Sequence, residues 1–148
     1  MIYITEKYLF NAALRNVAIV ISRKGFSDGA CFAAKGCLKE NGKMIGTAEL
    51  HTYFPNFKAE LGYTINPNYW GNGFALEASC AIIDWGFNDL NLKRIECCSY
   101  IENKQSQRVC EKLGLTYEGI RKKGYQLYDG SIHDLICYSI TDDEYYQK

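Results

Sequence analysis

A pair of glycines near the middle of the chain could hold an anion. Gly71 and Gly73 lie in the stretch from Asn66 to Ala75, between a segment with strand periodicity and a segment with helical periodicity. Glycine lets the backbone approach a ligand closely, and the free N–H groups and positive dipole end of a helix's first turn attract negative charge. The pattern indicates a phosphate or pyrophosphate site, and the alternative is a simple tight turn.

Two other phosphate motifs are absent from the sequence. The pattern G-x-x-x-x-G-K-[ST] does not occur, and a dinucleotide fingerprint would need a third glycine where the chain has Leu76. A protein that binds ATP or NAD is therefore the least favoured of the phosphate-binding classes.

Periodicity predicts the elements on either side of the glycine pair. Apolar residues alternate with polar ones from Phe57 to Ile65, which is typical of a strand, and Glu60 lies opposite the apolar set. The segment from Gly73 to Phe87 is predicted to be a helix. Its apolar face consists of Ala75, Ala78, Ile82 and Trp85.

Two further strands and one helix are predicted before this unit. Ala30 to Leu38 and Met44 to Phe54 flank Asn41-Gly42, which is a strong hairpin signal because both residues accept positive φ. Apolar residues recur at mixed spacing from Met1 to about Ser22, and we expect a helix over part of that segment.

The second half of the chain continues the alternation. We expect a strand from Arg94 to Tyr100, a helix from the N-cap Asn103 to Lys112 with Gly114 after it, and strands over Thr116 to Tyr128 and Ile132 to Ile140. The fold class is α/β (α+β mixed), a mixed sheet with packed helices, in a single domain over residues 1–148.

Composition narrows the functional classes. Seventeen basic residues balance 17 acidic ones in 148 residues, which argues against a nucleic-acid partner. The seven cysteines include no C-x-x-C pair, so we expect reduced thiols and no metal site. No apolar run reaches the roughly 18 residues of a membrane span. These features predict a cytoplasmic protein without an export signal or membrane anchor.

Four stretches together resemble the GNAT acetyltransferase superfamily. They are Ala59 to Tyr63, Tyr69 to Ala75, Asn103 to Ser106 and Glu111 to Leu115, and they occur in the family's order and spacing. The similarity runs from about residue 44 to 140 and is greatest to the bacterial, RimJ/RimL-like branch of ribosomal-protein alanine N-acetyltransferases. It implies the GNAT fold, a twisted, mostly antiparallel mixed sheet with a splayed strand pair and helices on both faces.

The resemblance also implies acetyl-CoA as a co-substrate. Backbone amides from Trp70 to Ala75 would hold the pyrophosphate, and the strand ending at Ile65 would splay from its neighbour to admit the pantetheine arm. Ser106 would lie near the thioester sulfur. The implied cofactor-binding residues are Tyr63, Thr64, Ile65, Trp70, Gly71, Asn72, Gly73, Phe74, Ala75, Asn103 and Ser106.

The chain departs from the family pattern at several positions. Asn68 replaces the usual Gln or Arg before the first glycine, and Cys110 stands where many members carry a tyrosine used as general acid. No glutamate occurs near Tyr125 and Gln126, where some ribosomal-protein enzymes have one. The family's first strand is expected to be missing or shortened, so that part of the acceptor wall is lost or supplied by another subunit.

Acetyl transfer to an amine needs a base, a polarised carbonyl and a proton donor for the sulfur. The resemblance offers Glu60 as the base, directly or through water, and an N–H near Ile65 for the oxyanion; a structural acid paired with a lysine is the alternative for Glu60. Ser106, or a water, would protonate the thiolate, although a first-turn serine often only caps an amide.

Two other features have open roles. His133 and Asp134 are neighbours on a strand and face opposite sides, so we expect a structural or substrate-orienting role for one of them. Trp70 is either a packing anchor or a contact for adenine.

The acceptor amine is open. An α-amine has a lower ordinary pKa than lysine, about 8 against about 10.4, which favours a protein N-terminus over lysine, and small-molecule amines remain candidates. We expect a monomer or homodimer with no membrane or nucleic-acid partner. The alternative from another functional class is a catalytically silent acyl-CoA-binding module.

Overall fold

The structure, a computed structural model, describes residues 8–10, 17–24 and 31–147, with side chains from 32 to 147. One sheet of eight strands runs through these residues in the order β1-β2-β3-β4-β5-β6-β8-β7. The strands are β1 Tyr8–Phe10, β2 Val17–Lys24, β3 Cys31–Leu38, β4 Met44–Phe54, β5 Lys58–Ile65, β6 Arg94–Tyr100, β7 Thr116–Gln126 and β8 Ile132–Thr141. The helices are α1 Phe74–Asn88, α2 Lys104–Lys112 and α3 Asp142–Tyr146.

The fold class is the predicted mixed α/β class, and the hairpin prediction is confirmed. Strands β3 and β4 are antiparallel, and Gly42 adopts a φ of 70° in the turn between them. The Asn41 side chain accepts a hydrogen bond from the Lys43 amide at 2.9 Å. The connection covers residues 39–43, and Asn41 does not share the positive φ of Gly42, so the hairpin forms through a longer loop than the two-residue turn that Asn-Gly favours.

The helix predicted between Met1 and Ser22 is wrong where the structure describes that segment. Tyr8–Phe10 and Val17–Lys24 are strands, and β2 pairs with β3 over its full length. The run Val17-Ala18-Ile19-Val20-Ile21 is rich in β-branched residues, which favour a strand more than irregular apolar spacing favours a helix. Residues 1–7 and 11–16 lie outside the described residues.

The three described α-helices share one face of the sheet. Trp85 of α1 packs against Phe32 of β3 with ring centroids 4.9 Å apart, and α3 reaches the same helix through Tyr145, stacked on Phe87 at 4.8 Å. From α2, Cys110 hydrogen bonds to Cys97, which lies on the same side of β6 as Ile95. The resemblance implied helices on both faces of the sheet. The helices that the structure describes all pack against the same face, called here the helical side.

The opposite face of the sheet, called here the second face, is partly polar. It carries Glu49, Glu60, Glu96, Cys98 and Cys137, all only half-buried. Two neighbouring cations neutralise one of these acids, because the Glu96 carboxylate contacts Lys58 at 3.1 Å and Arg94 at 2.9 Å. Within the part of the chain described, no helix has the length and apolar content to cross a membrane.

The predicted splay lies between β5 and β6. These parallel strands pair only from Lys58 with Arg94 to Glu60 with Glu96. Beyond that point β5 stays paired with β4 as far as Ile65, and β6 stays paired with β8 as far as Tyr100. The two strands therefore diverge because each follows its antiparallel neighbour, and a wedge opens between them.

Strand β7 forms one edge of the sheet and is irregular. Its register against β8 shifts between Tyr117 and Gly119 and again between Arg121 and Tyr125. The first bulge directs Glu118 onto the second face, where its carboxylate binds the Arg94 guanidinium through two contacts of 2.7 Å and accepts a hydrogen bond from Ser139.

Candidate functional site

A cavity of about 450 Å³ opens at the splay, on the helical side of the sheet. Its walls are the end of β5, the glycine turn with the start of α1, and one side of α2. The lining residues are Tyr63, Thr64, Ile65, Tyr69, Trp70, Gly71, Gly73, Phe74, Ala75, Leu76, Asn103, Gln105, Ser106, Arg108, Val109 and Lys112. One cavity therefore brings together most of the predicted cofactor-binding residues.

The glycine turn leaves the first amides of α1 unoccupied by a cap. Gly71 and Gly73 have φ values of 80° and 77°, which disfavour residues with a side chain, and Gly73 is an N-cap without a side-chain hydrogen bond. The N–H groups of the helix's first turn have no intrahelical acceptor. With Phe74 and Ala75 in the cavity wall, this is the geometry in which a helix terminus binds a phosphate.

Two cations of α2 give the cavity a positive charge. Arg108 and Lys112 both line it, and no acidic side chain is among the lining residues. They stand four positions apart, so they project from the same side of the helix. Neither residue was predicted from the sequence, although cations at every fourth position, Lys104, Arg108 and Lys112, are a pattern that indicates an anion site.

Asn72 is the predicted cofactor residue whose side chain does not line the cavity. Its Nδ2 donates to the carbonyl oxygens of Tyr69 at 3.0 Å and Trp70 at 3.3 Å, so it closes the turn from within. Trp70 donates from Nε1 to the Ile65 carbonyl at 2.7 Å, while its ring is half exposed at the cavity. The indole thus anchors the turn to β5 and also leaves a ring surface for a ligand.

Ser106 is not used as a helix cap. Asn103 performs that role, since its Oδ1 accepts the Ser106 amide hydrogen at 3.1 Å. The Ser106 hydroxyl instead lies 2.8 Å from the hydroxyl of Tyr63, across the cavity wall. A serine hydroxyl and a phenol are therefore in contact where the end of β5 faces α2.

Glu60 lies on the second face, at the last position where β5 is still paired with β6. Its side chain is 23% exposed, and its carboxylate is 4.0 Å from the imidazole Nδ1 of His51. The nearby Lys58 pairs with Glu96. Glu60 thus faces a histidine and not the lysine that a structural acid was expected to have.

His51 is a candidate residue that sequence reasoning missed. It is the register partner of Glu60 on β4 and directly precedes an irregularity of that strand, where Thr52 adopts a φ of 49°. Positive φ is strained for a β-branched residue, and bulges often redirect side chains at functional sites. Space exists because Gly62 has no side chain, and a Cβ there would lie 3.3 Å from the His51 ring.

Three other residues singled out in the sequence, Cys110, His133 and Asp134, do not line the cavity. Cys110, at the position of the family's tyrosine, is buried and hydrogen bonded to Cys97, which lowers the pKa of the Cys110 thiol despite its burial. His133 Nε2 lies 2.8 Å from the Ser131 hydroxyl, and Asp134 accepts the Lys123 amide hydrogen at 2.7 Å. The last two side chains therefore make separate local contacts and do not form a pair.

Comparison with protein families gives a match over most of the chain. Residues 5–116 match the acetyltransferase (GNAT) domain family. A solved structure with a similar fold is the ribosomal-protein-S5-alanine acetyltransferase from Vibrio fischeri, which has a TM-score of 0.70 and 32% sequence identity over 77% of this chain and 63% of that one.

Curated relatives are also similar. The uncharacterized N-acetyltransferase p20 of Bacillus licheniformis is 37% identical over 109 residues, which is 73% of this chain and 61% of the relative. The uncharacterized N-acetyltransferase YoaA of Bacillus subtilis is 34% identical over 104 residues, 70% of this chain and 58% of the relative. The chain thus spans about three fifths of the length of these two proteins.

Proposed function

Because the chain belongs to the GNAT acetyltransferase domain family, we propose that it is an N-acetyltransferase that transfers the acetyl group of acetyl-CoA to a primary amine in a ternary complex. The observation that carries the proposal is the cavity at the splay. It combines uncapped helix amides with Arg108 and Lys112, has no acidic lining residue, and reaches the wedge between β5 and β6. These features suit a ligand that carries several negative charges and has a narrow extended chain.

The residues of the cavity fit the parts of acetyl-CoA. The amides from Trp70 to Ala75 would receive the pyrophosphate, and the two α2 cations lie on the same cavity, where they would add charge-assisted contacts to phosphate. Thr64 and Ile65 would flank the pantetheine arm within the wedge. The thioester would then stand near Ser106 and the open end of β5.

The chemistry would be divided between the two sides of the sheet. On the second face Glu60, beside His51, would take the proton of the amine, directly or through water. In the wedge, a backbone N–H near Ile65 would stabilise the oxyanion. On the helical side the Ser106 hydroxyl would meet the departing sulfur.

The acceptor would approach from the second face, where Glu60 lies. A protein N-terminal amine is favoured over lysine because its lower ordinary pKa, about 8, leaves more of it neutral at physiological pH. The similarity to a ribosomal-protein acetyltransferase is compatible with such an acceptor. A small-molecule amine is the other candidate within the same chemistry.

Calorimetric titration of the purified chain with acetyl-CoA tests the cofactor assignment, with ATP and NADH as control ligands. We expect micromolar binding of acetyl-CoA alone, and its loss in Gly71→Glu, which puts a carboxylate in the anion site. Gly42→Glu is a matched control, because Gly42 also has positive φ and open space around a Cβ but lies outside the cavity. Equal loss in both variants, or wild-type preference for ATP, would contradict the assignment.

A catalytically silent acyl-CoA-binding module is the competing function. It predicts the same calorimetric result but no amine-dependent release of CoA from acetyl-CoA. Release that rises with the concentration of an α-amine peptide or a small amine would establish transfer. Tight binding without release with either acceptor class would support the silent module.

A further inference from the structure

The cavity wall contains a pair of hydroxyls in contact. Tyr63 Oη lies 2.8 Å from Ser106 Oγ and 3.4 Å from the Ser106 carbonyl oxygen. Tyr63 extends from β5 at the wedge, while Ser106 lies in the first turn of α2, so the contact joins two elements within the cavity wall. Both residues line the cavity.

The direction of this hydrogen bond decides what the serine can do. Two hydroxyls that share one hydrogen bond place one hydrogen between their oxygens and leave the other free. If Tyr63 donates, the Ser106 hydrogen is free for a ligand in the cavity. If Ser106 donates, its hydrogen is used, and the tyrosine hydrogen has only the carbonyl at 3.4 Å, which is a long contact.

The environment keeps the phenol protonated. Burial raises the pKa of Tyr63 above its usual value, and the hydrogen bond with Ser106 offsets this only in part. Ser106 Oγ, at 2.8 Å, is the hydroxyl partner of the phenol. Tyr63 is therefore suited to donate a hydrogen bond and unsuited to act as a base.

We propose that Tyr63 is a positioning residue for thioester cleavage, whose hydroxyl donates to Ser106 Oγ and so directs the Ser106 hydrogen at the sulfur of acetyl-CoA. This rests on the proposed function. As the amine nitrogen bonds to the acetyl carbon, the C–S bond breaks and its electron pair goes to sulfur. The proton of the amine goes to Glu60, directly or through water. The sulfur leaves as a thiolate that accepts a hydrogen bond from the Ser106 hydroxyl, and it takes a proton from water after CoA is released.

Tyr63 keeps its own proton throughout this step. Its contribution is to polarise the Ser106 hydroxyl through its own hydrogen bond, so that Ser106 donates more strongly to the negative charge that develops on sulfur. Such a group acts only through the serine. Removing the phenol oxygen should therefore matter when Ser106 is present and should not matter when Ser106 is absent.

Titration of the thiol of bound CoA tests the proposal without any turnover. The thiolate absorbs in the far ultraviolet, and a directed Ser106 hydrogen should stabilise it and lower the pKa of the bound thiol. We expect Tyr63→Phe and Ser106→Ala each to raise that pKa by about one unit, a tenfold change, and the double variant to raise it no further. Tyr53→Phe, which alters a ring packed on Phe32 outside the cavity, should have no effect.

Kinetics supply the second readout once an acceptor amine is known. Tyr63→Phe should lower kcat roughly 10- to 100-fold with little change in the Kd of acetyl-CoA, and should have less than about a twofold effect in a Ser106→Ala background. Circular dichroism would verify that each variant is folded.

Two results would overturn the role of Tyr63. One is a thiol titration that Ser106→Ala shifts and Tyr63→Phe does not, and the other is an additive effect of the two substitutions. Binding of CoA without acetylation of any amine would refute the proposed function, and the thiol titration would still decide the role of Tyr63. Failure of the wild-type chain to bind CoA would refute both.

Discussion

Glu60 occupies the position at which β5 and β6 separate, so its carboxylate can face an amine that enters the wedge from the second face. We expect Glu60→Gln to lower kcat/KM roughly 100-fold, because glutamine is nearly isosteric but cannot accept the amine proton. The loss should shrink as pH rises towards about 9, where more of an α-amine is already neutral. Steady-state kinetics across this range provide the measurement.

Glu111→Gln is the matched control for that substitution. Glu111 is an exposed glutamate on α2 that does not line the cavity, so its variant should retain wild-type rates. A Glu60→Gln variant as active as the wild type at every pH would remove Glu60 from the mechanism and direct attention to His51.

Arg108 provides a second prediction at the level of the residue. Its guanidinium lines the cavity but is exposed, so its contact with a phosphate is partly screened. We expect Arg108→Ala to weaken acetyl-CoA binding roughly 3- to 10-fold, with the difference from wild type decreasing at high salt. Calorimetry at two salt concentrations measures this, and Lys122→Ala on β7 is the charge-matched control. Weakening by both variants alike would indicate a general charge effect.

Sequence reasoning located most of the cavity residues but not the whole site. Tyr63, Gly71 and Ser106 stand in stretches whose type and spacing were informative, and all three line the cavity. His51 was missed because its relation to Glu60 depends on the register of β4 against β5, which no local pattern encodes. The redirected backbone at Thr52 likewise appears only in the folded chain.

At the level of the element, Gly46 links the packing of β4 to the cavity. A Cβ at this position would lie 2.1 Å from the Thr64 carbonyl oxygen, which is far too close, so β5 would have to move. We expect Gly46→Ala to reduce the free energy of unfolding by roughly 1–3 kcal/mol and to weaken acetyl-CoA binding, because Thr64 and Ile65 line the cavity. Denaturant unfolding and calorimetry measure the two effects.

Gly42→Ala is the control that distinguishes the effect of backbone strain from the effect of moving β5. Gly42 has positive φ but nothing within 4 Å of a Cβ, so alanine there should destabilise the hairpin turn and leave binding unchanged. Gly46→Ala binding acetyl-CoA as tightly as the wild type would show that the end of β5 is not held by this contact.

The elements differed in how well local sequence predicted them. Asn41-Gly42 and the Asn103 cap gave correct boundaries because their signals are short-range hydrogen bonds and dihedral preferences. The N-terminal helix prediction failed because Val17 to Ile21 becomes a strand through pairing with β3, a contact distant in sequence. Only the family resemblance predicted the splay. Local sequence does not encode it, because β5 and β6 separate where each stays paired with a different antiparallel neighbour, β4 and β8.

For the whole molecule, the contact of Glu118 with Arg94 makes stability depend on pH. The guanidinium, together with Ser139, lowers the pKa of Glu118 to about 2. An ordinary glutamate titrates near 4.3, so this contact stabilises the fold fully above that pH and is lost as pH falls towards about 2. Because Glu118 is 39% exposed, the effect should be modest, roughly 1 kcal/mol or less.

Glu118→Gln tests this dependence. At neutral pH the variant should unfold at a lower denaturant concentration than the wild type, and the two curves should converge between about pH 4.5 and 2. Glu111→Gln should follow the wild type throughout. A constant difference at every pH would mean that Glu118 contributes through packing and not through its charge.

The bulges of β7 also bear on how copies of this chain meet one another. A regular outer strand with apolar side chains offers its unpaired backbone groups to any other strand, and that is a route to fibrous assembly. Here Tyr117, Ile120 and Tyr125 are exposed, so the risk is present. The two register shifts, with Arg121, Lys122 and Lys123 between the tyrosines, deny a second β7 a continuous ladder. The irregular edge thus opposes edge-to-edge pairing of β7 between copies of the chain.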